Sequence, residues 1–435
     1  MKVYFYTLGC RVNQYETDAA RELFLRSGFE VADTPEEADI CVVNTCTVTG
    51  EADRKSRQQL RRMARLNPST VVVAMGCMSE MVDGVVEADV VCGTRDKNQI
   101  VEKVNAFISA RKPSAEHSRA VPHSRPAVTK SDEYHEFGTV LSPEGTRAFI
   151  KVEDGCNKFC TYCIIPFARG RVASRDEEAV LKECLDLASR GYSEVIVSGI
   201  HVCSYGKDRG EDGAALPRLL RKINDIEGIE RIRLGSLEPM SLTDEFISEL
   251  QGVTKLCPHF HLSLQSGCDK VLKKMNRDYT SAEFLERVEK MRMIYPTMSL
   301  TTDIICGFPE ETEEDFLETM EFVKKVGFTK VHTFPYSERE GTIAAKMKQV
   351  PMNIRKERAG RLIALSNELE AAFAERQVGK KHQILVETVS DGIAEGYTPE
   401  YVRAKIETDR EDIKGKTVEA LAVSSEDNAI KCYLG

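Results

Sequence analysis

Short apolar runs alternate with amphipathic stretches over the first 110 residues of the chain. Four of these runs predict buried strands, at 3–10, 38–46, 70–77 and 85–93. Apolar positions at helical spacing predict helices between them, over 13–27, about 50–66 and about 97–110. Buried strands that alternate with helices favour an open parallel sheet covered on both faces. We therefore predict an α/β domain over residues 1–110.

The alternation stops at residues 111–145, which contain four prolines and many polar residues and predict a linker. It then resumes with a longer period. Six apolar runs predict strands, at 147–154, 194–200, 231–238, 259–266, 298–308 and 330–337. Six strand–helix units favour a partial β/α barrel over residues 146–375, and an open doubly wound sheet is the structural alternative.

The pattern changes again at residues 376–435. A polar helix predicted over about 352–376 leads into short strands separated by turn signals. This pattern is typical of a small all-β barrel or sandwich. We therefore predict an α/β chain with a small all-β domain at its C-terminal end.

Composition narrows the class of protein. Apolar residues make up 42% of the chain and charged residues 30%, as in ordinary globular proteins. No apolar run reaches the ~18 residues of a membrane span, and the N-terminal run is too short for a secretory signal. We expect a cytoplasmic protein with no membrane partner, whose fourteen cysteines stay reduced. The net charge of −9 does not indicate nucleic-acid binding.

Three cysteines lie close together directly after the first predicted barrel strand. Cys156, Cys160 and Cys163 have the spacing C-x-x-x-C-x-x-C, which favours one shared metal centre. Three thiolates leave one coordination position open, and Tyr162 is placed to shield the centre. The alternatives are a zinc site completed by a distant histidine, or plain buried cysteines.

Three other cysteines each end a predicted strand of the first domain. Because the carboxyl ends of parallel strands line one crevice, Cys10, Cys46 and Cys77 could meet at one site. The pattern alone leaves a metal site and core filling equally open. The remaining eight cysteines follow no ligand spacing, and we interpret most of them as structural.

The block EDGCNKFCTYC (153–163) resembles the radical S-adenosylmethionine (SAM) superfamily. In that superfamily, three such cysteines hold a 4Fe–4S cluster whose fourth iron binds SAM, and the reduced cluster cleaves SAM to a 5′-deoxyadenosyl radical. Later strand ends also resemble the superfamily, which implies SAM-binding roles for Gly199, Ile305, Gly307, Glu310 and Tyr336. Asp303 departs from the pattern, because a glycine is usual at its position.

The segments TLGCRVNQYETD (7–18), VVNTCTVTGEAD (42–53) and MGCMSE (75–80) resemble the methylthiotransferases. The resemblance covers essentially the whole chain. It implies a second 4Fe–4S cluster on Cys10, Cys46 and Cys77, and a C-terminal β-domain of the RNA-binding TRAM type. The segment GCRVNQYE, with its valine–asparagine–glutamine–tyrosine run, departs from the pattern GCQMN-x-x-D of the isopentenyl-adenosine branch and from GCPKN-x-x-D of the ribosomal-protein branch. The segment looks like the branch that acts on threonylcarbamoyl-adenosine in tRNA.

This resemblance implies transfer of a methylthio group to carbon 2 of N6-threonylcarbamoyladenosine next to the tRNA anticodon. One SAM would methylate a sulfur at the N-terminal cluster, and a second would supply the radical at the barrel cluster. An electron donor such as a flavodoxin-type protein is implied, the sulfur donor stays open, and we expect a monomer. The alternatives are the isopentenyl-adenosine branch, the ribosomal-protein branch and a non-enzymatic zinc- and RNA-binding protein.

Candidate tRNA contacts are basic residues on one predicted helix and at the start of the last domain: Arg54, Arg57, Arg61, Arg65, Lys380 and Lys381. A solvated surface helix is the alternative interpretation of the arginines. Residues 379–435 hold eight lysines and arginines against eleven aspartates and glutamates, which is unlike a basic RNA platform. Four histidines lie on or near barrel strands, and we assign none of them a catalytic role: His201, His259, His261 and His332.

Overall fold

A computed structural model describes residues 1–66, 69–81, 87–110, 133–141, 143 and 145–435. Most of the predicted linker at 111–145, and Val85 and Val86 of one predicted strand, lie outside these residues. None of the helices in these ranges has the length and apolar character needed to cross a membrane.

The N-terminal part forms an open sheet of parallel strands in the order β2-β1-β3-β4-β5. Its strands are β1 (Lys2–Thr7), β2 (Glu30–Val31), β3 (Ile40–Thr45), β4 (Val71–Gly76) and β5 (Val90–Cys92). Its helices are α1 (Arg11–Arg26), α2 (Gly50–Leu66), α3 (Cys77–Met81) and α4 (Ile100–Ala110). Strands β3 and β4 are buried along their whole length, as expected for central strands covered by helices on both faces. The predicted open parallel sheet is confirmed, although the pattern does not predict β2 or the short helix α3.

The central part contains the six predicted strand–helix units. Its strands are β6 (Arg147–Lys151), β7 (Glu153–Asp154), β8 (Ala173–Ser174), β9 (Glu194–Ser198), β10 (Arg231–Leu234), β11 (Ser236–Leu237), β12 (His259–Leu262), β13 (Ser299–Cys306) and β14 (Lys330–Pro335). Its helices are α5 (Ile165–Arg169), α6 (Glu177–Ser189), α7 (Ala215–Asn224), α8 (Asp244–Leu250), α9 (Asp269–Lys274), α10 (Ser281–Ile294), α11 (Glu313–Val326) and α12 (Met352–Glu375). Apolar side chains between the strands and these helices form one large core.

The strand order settles the architecture of this central part. Parallel strands run in the order β6-β9-β10 and continue as β11-β12-β13-β14, so their spatial order follows the sequence. In a doubly wound sheet, the spatial order of the strands would reverse at a central strand. The sequential order therefore confirms the partial β/α barrel and excludes the doubly wound alternative.

The C-terminal part is a closed barrel in the order β15-β16-β17-β19-β18. Its strands are β15 (Lys381–Ser390), β16 (Ile393–Tyr397), β17 (Arg403–Glu407), β18 (Thr417–Glu426) and β19 (Ala429–Leu434). Arg231 of the central barrel donates to the carbonyl oxygens of Gln383 (2.7 Å) and Tyr397 (3.2 Å). These bonds attach the small barrel to the amino ends of the central strands.

Candidate functional site

The three clustered cysteines lie in the loop between β7 and α5, at the carboxyl end of the first barrel strand. Cys156, Cys160 and Cys163 all line a cavity of 330 Å3, which we call the triad cavity. Gly155 precedes the loop with φ at +79°, and a Cβ atom there would lie 1.9 Å from the carbonyl oxygen of Arg171. Only glycine therefore fits at this position, where the two ends of the loop meet.

The sequence-predicted SAM residues divide between two cavities and the surface. Ile305 and Tyr336 line the triad cavity, whereas Gly199 lines a second cavity of 820 Å3 inside the barrel, which we call the barrel cavity. Gly307 and Glu310 lie outside the lining of both cavities. Tyr162 lines the triad cavity, as expected of a shielding residue.

The pair of glutamates after Gly307 explains where Glu310 lies. Glu310 is exposed and forms an ion pair with Lys274 at 2.8 Å. The adjacent Glu311 is buried, accepts the Gly307 backbone N–H (2.8 Å) and pairs with Arg358 (2.8 Å). Gly307 has φ at +69°, and a Cβ atom there would lie 2.5 Å from Arg355. The structure therefore shows a local structural role for Gly307 and Glu311.

The second set of cysteines follows three parallel neighbours of the N-terminal sheet. Cys10, Cys46 and Cys77 come after the ends of β1, β3 and β4, and Cys10 is exposed while the other two are buried. A Cβ atom on Gly9 would lie 3.1 Å from the Cβ of Cys46, so the first two strand ends are in close contact. Asn13 accepts from the Cys10 thiol at 3.3 Å and donates to the Thr45 carbonyl oxygen at 3.1 Å, which links the same two ends.

The thiols of both triads fit an iron–sulfur cluster. Burial raises the pKa of Cys77 and Cys163 to about 12 and that of Cys156 to about 11. Such thiols lose their protons when a bound cation stabilises the thiolate. Within the described ranges, no three histidine, cysteine or acidic side chains converge closely enough to share a single ion. Each thiolate of a 4Fe–4S cluster binds its own iron, so a set of three thiols suits such a cluster.

The barrel triad and Cys10 of the N-terminal triad line two adjoining cavities. Cys10 lines the barrel cavity, and Ser236 and Asp303 line both that cavity and the triad cavity. Val48 and Thr49, which follow Cys46, line the triad cavity. The loop after Cys46 therefore reaches the triad cavity, whereas Cys46 and Cys77 themselves line neither cavity.

A buried arginine that no sequence pattern predicts lies between the N-terminal triad and the segment that leads into the barrel triad. Arg169, in α5 just after the barrel triad, donates to the Sγ of Cys77 at 3.1 Å. Its other nitrogens donate to Glu16 (2.8 and 3.1 Å) and to Asp154 (3.1 Å). Asp154 lies two residues before Cys156. One guanidinium therefore contacts a cysteine of the N-terminal triad and the segment that leads into the barrel triad.

Two buried lysines complete this charged network. Lys97 and Lys151 both form ion pairs with Glu16 and with Asp154. Burial alone would raise the pKa of Glu16, but the surrounding cations hold the pKa well below its usual range. The network has three cations, including Arg169, against two carboxylates, so it carries one positive charge in excess.

A second arginine contacts the barrel triad. Arg277 donates to the Sγ of Cys160 at 3.4 Å and to the Ser263 carbonyl oxygen at 3.2 Å. Glu238 lies 3.7 Å from Arg277 and 3.5 Å from Lys158, and its buried carboxylate lines the triad cavity. Residues such as Arg277 and Glu238 could be found in the sequence as charged side chains inside or near a strand-end motif. An ordinary core residue would be apolar at such a position.

The candidate RNA-binding residues are partly engaged in ion pairs. Arg57 and Arg61 share the carboxylate of Glu87, at 3.0 and 2.9 Å. Arg54 pairs with Glu51 at 2.6 Å, and Lys381 pairs with Glu419 at 2.8 Å. Arg65 and Lys380 are exposed. Their contact with tRNA stays a prediction, and the ion pairs reduce the positive charge of helix α2.

Two family models match the chain. The Radical SAM superfamily matches residues 150–323, and the family described as Uncharacterized protein family UPF0004 matches residues 2–91. Among solved structures, the radical S-adenosylmethionine methyltransferase TsrM from Kitasatospora setae has a TM-score of 0.57 and 18% identity, and the match covers 79% of this chain and 75% of that chain. This likeness shows a shared fold.

Curated relatives match over nearly the full length. Threonylcarbamoyladenosine tRNA methylthiotransferase MtaB from Bacillus subtilis (strain 168) is 39% identical, over 96% of this chain and 92% of that protein. MtaB from Aquifex aeolicus (strain VF5) is 40% identical, over 91% and 95%. tRNA-2-methylthio-N(6)-dimethylallyladenosine synthase from Thermoanaerobacter sp. (strain X514) is 36% identical, over 88% and 82%.

The partial barrel, with a cysteine triad after its first strand, defines a radical SAM enzyme, and the matching family model agrees. The full-length relatives then decide the family. The chain belongs to the radical SAM tRNA methylthiotransferases and is similar to the MtaB members among them.

Proposed function

We propose that the enzyme transfers a methylthio group to carbon 2 of N6-threonylcarbamoyladenosine in tRNA, with one 4Fe–4S cluster on each cysteine triad and SAM in two roles. The observation that supports this most strongly is that the barrel triad and Cys10 of the N-terminal triad line adjoining cavities. An adenine C–H has no acidic proton and no leaving group, so acid–base catalysis alone cannot replace its hydrogen. When bound, the cofactors supply the radical and the methyl group.

The residues of the chain hold, orient and shield these groups. Cys156, Cys160 and Cys163 would hold the cluster that binds SAM, and Tyr336 and Ile305 would contact SAM in the triad cavity. The carboxylate of Glu238 lines the same cavity and lies beside Arg277 and Lys158, so it would help to hold these two cations next to the barrel triad. Gly199 belongs to the barrel cavity, where we place the adenosine.

The N-terminal triad serves the sulfur transfer in this proposal. Cys10, Cys46 and Cys77 would hold the second cluster, with Cys10 exposed toward the barrel cavity. Arg169 donates to Cys77, and hydrogen bonds to cluster sulfurs help to set the reduction potential. The two clusters would therefore have separate roles.

Two matched cysteine variants separate these roles. Cys10→Ala, reconstituted without oxygen, is expected to retain reductive cleavage of SAM and to lose methylthiolation of tRNA. Cys160→Ala is the matched variant at the other triad and is expected to lose both activities. If a folded Cys10→Ala protein with an intact barrel cluster loses both activities, the division of roles is wrong.

The substrate is tested with anticodon stem-loop RNAs that differ only in the modified adenosine. Mass spectrometry of the nucleosides should show a methylthio product from the threonylcarbamoyl RNA and none from the isopentenyl RNA. The dimethylallyladenosine synthases at 36% identity make the isopentenyl RNA the decisive comparison. A product from the isopentenyl RNA alone would move the enzyme to that branch.

A further inference from the structure

One arginine that lines the barrel cavity has no hydrogen-bond or ion-pair partner among the described residues. Arg11 directly follows Cys10 in sequence and lines the same cavity. Throughout the described part of the chain, no residue forms a hydrogen bond or ion pair with its guanidinium. An arginine in this position has its full hydrogen-bonding capacity available to a ligand.

The neighbouring charges do not neutralise Arg11. Glu194 is the carboxylate that attracts it, but Glu194 already pairs with Arg233 at 3.0 Å. The nearby Arg147 is paired with Glu387 at 2.5 Å. Asp303, Glu370, Glu400 and Asp427 also line the cavity, but none of them pairs with Arg11, which therefore keeps its donors free for an anionic group.

The cavity is large enough for a modified nucleoside. Its volume of 820 Å3 lies within the roughly 300–1,000 Å3 of typical small-molecule sites. Gly9, Cys10 and Arg11 reach it from the N-terminal part, whereas Gly199 and Asp303 belong to the barrel wall. Arg11 and the first cysteine of the N-terminal triad are therefore neighbours in one space.

The substrate itself has an anionic group close to the carbon atom that is modified. Carbon 2 and carbon 6 of adenine both adjoin the ring nitrogen N1, so the substituent on N6 lies close to the atom that receives the methylthio group. The threonylcarbamoyl substituent ends in a carboxylate. A residue that neighbours the methylthio-delivering triad is therefore well placed to meet that carboxylate.

We infer that Arg11 binds the threonyl carboxylate of the substrate and thereby selects N6-threonylcarbamoyladenosine over adenosines with an uncharged N6 group. The planar guanidinium matches a carboxylate with two parallel N–H bonds. This inference rests on the proposed function. Arg11 acts as a specificity-determining residue and takes no part in the covalent steps.

Arg403 is the alternative cation in the same cavity. It belongs to β17 of the small barrel, and its Nε atom is buried without a hydrogen-bond partner among the described residues. We favour Arg11 because it adjoins Cys10, whereas Arg403 comes from the C-terminal barrel. Both arginines are tested below.

The test uses the reconstituted enzyme and two stem-loop RNAs, one with the free threonyl carboxylate and one with its methyl ester. Wild type is expected to bind the free acid about 10- to 100-fold more tightly than the ester, as for a charge-assisted hydrogen bond. Arg11→Gln should bind both RNAs equally. Its kcat/KM for the free-acid RNA should be about 10- to 100-fold lower than that of wild type. Binding is measured by fluorescence anisotropy, so the readout does not depend on turnover.

The matched control is Arg26→Gln, which removes the same charge from the exposed end of the same helix. It should retain the preference of wild type, and all variants should have the iron content and melting temperature of wild type. A preference that persists in Arg11→Gln overturns the inference, and its loss in Arg403→Gln alone assigns the carboxylate to Arg403. If wild type does not modify the threonylcarbamoyl RNA at all, the proposed function itself fails.

Discussion

Substitution of Glu16 by glutamine tests the buried charged network between the N-terminal triad and Asp154. Glu16 contacts all three cations of the network. Arg169 and Lys151 each lie 2.8 Å from its carboxylate, and Lys97 also pairs with it. Its replacement leaves Asp154 alone against three buried positive charges. Removal of one partner from a buried ion pair costs about 3–5 kcal/mol, and we expect the upper part of that range.

Substitution of Arg169 by methionine provides the informative comparison. It leaves Lys97 and Lys151 opposite Glu16 and Asp154, which is a balanced set of charges. The cost should therefore fall at the lower end, about 3 kcal/mol. The order of the two variants follows from the charge count, because a generic loss of contacts would make the larger Arg169 more costly.

The assay is denaturant unfolding of the cluster-free proteins, followed by far-UV circular dichroism. The control is Glu321→Gln, which breaks an exposed ion pair with Lys324 and should leave the curve unchanged. Because the pKa of Glu16 is lowered in the folded protein, its stabilisation is present above its unfolded pKa of about 4.3 and is lost as the pH falls further. The difference between wild type and Glu16→Gln should therefore shrink in acid. If Arg169→Met costs more than Glu16→Gln, or if Glu16→Gln behaves like the control, the reasoning is refuted.

Two further predictions concern the barrel loop and the RNA surface. Gly155→Ala should prevent assembly of the barrel cluster, because the added Cβ atom would overlap the Arg171 carbonyl oxygen at 1.9 Å; iron content measures this. Replacement of Arg57 and Arg61 by glutamine should raise the KM for tRNA and lower the salt dependence of binding, with unchanged cluster content.

The glycine prediction has a matched control. Gly191 also has a positive φ, of +89°, but open space around it, so Gly191→Ala should show only backbone strain and keep its iron. Loss of iron in both glycine variants would contradict the steric argument. For the RNA surface, an unchanged KM would leave helix α2 as a solvated face whose arginines serve Glu87.

The sequence predicts the order of elements well, because the distinction between buried strands and helices is local. Strand ends near Cys10, Cys46 and Cys77 can be located from apolar runs alone, and parallel pairing then places those ends at one edge. The sequential strand order of the barrel depends on pairing between distant segments. Only the structure therefore excludes the doubly wound alternative.

Residues that act across domains are harder to predict. Arg169 and Cys77 are 92 positions apart, and a buried arginine resembles a surface arginine in sequence. Glu310 and Glu311 are adjacent and of the same residue type, yet Glu310 has φ at +63° and an exposed side chain, whereas the side chain of Glu311 is buried. Such choices depend on the surrounding tertiary packing, and no local pattern encodes them.

The most direct test of the central claim is an iron and sulfide count on protein reconstituted without oxygen. Wild type should hold about eight iron atoms per chain, as expected for two 4Fe–4S clusters. Triple alanine replacement of Cys156, Cys160 and Cys163 should leave about four, and the same replacement of Cys10, Cys46 and Cys77 should also leave about four. Four iron atoms in wild type that fall to none in the barrel variant would contradict the account, because the N-terminal cysteines would then hold no cluster.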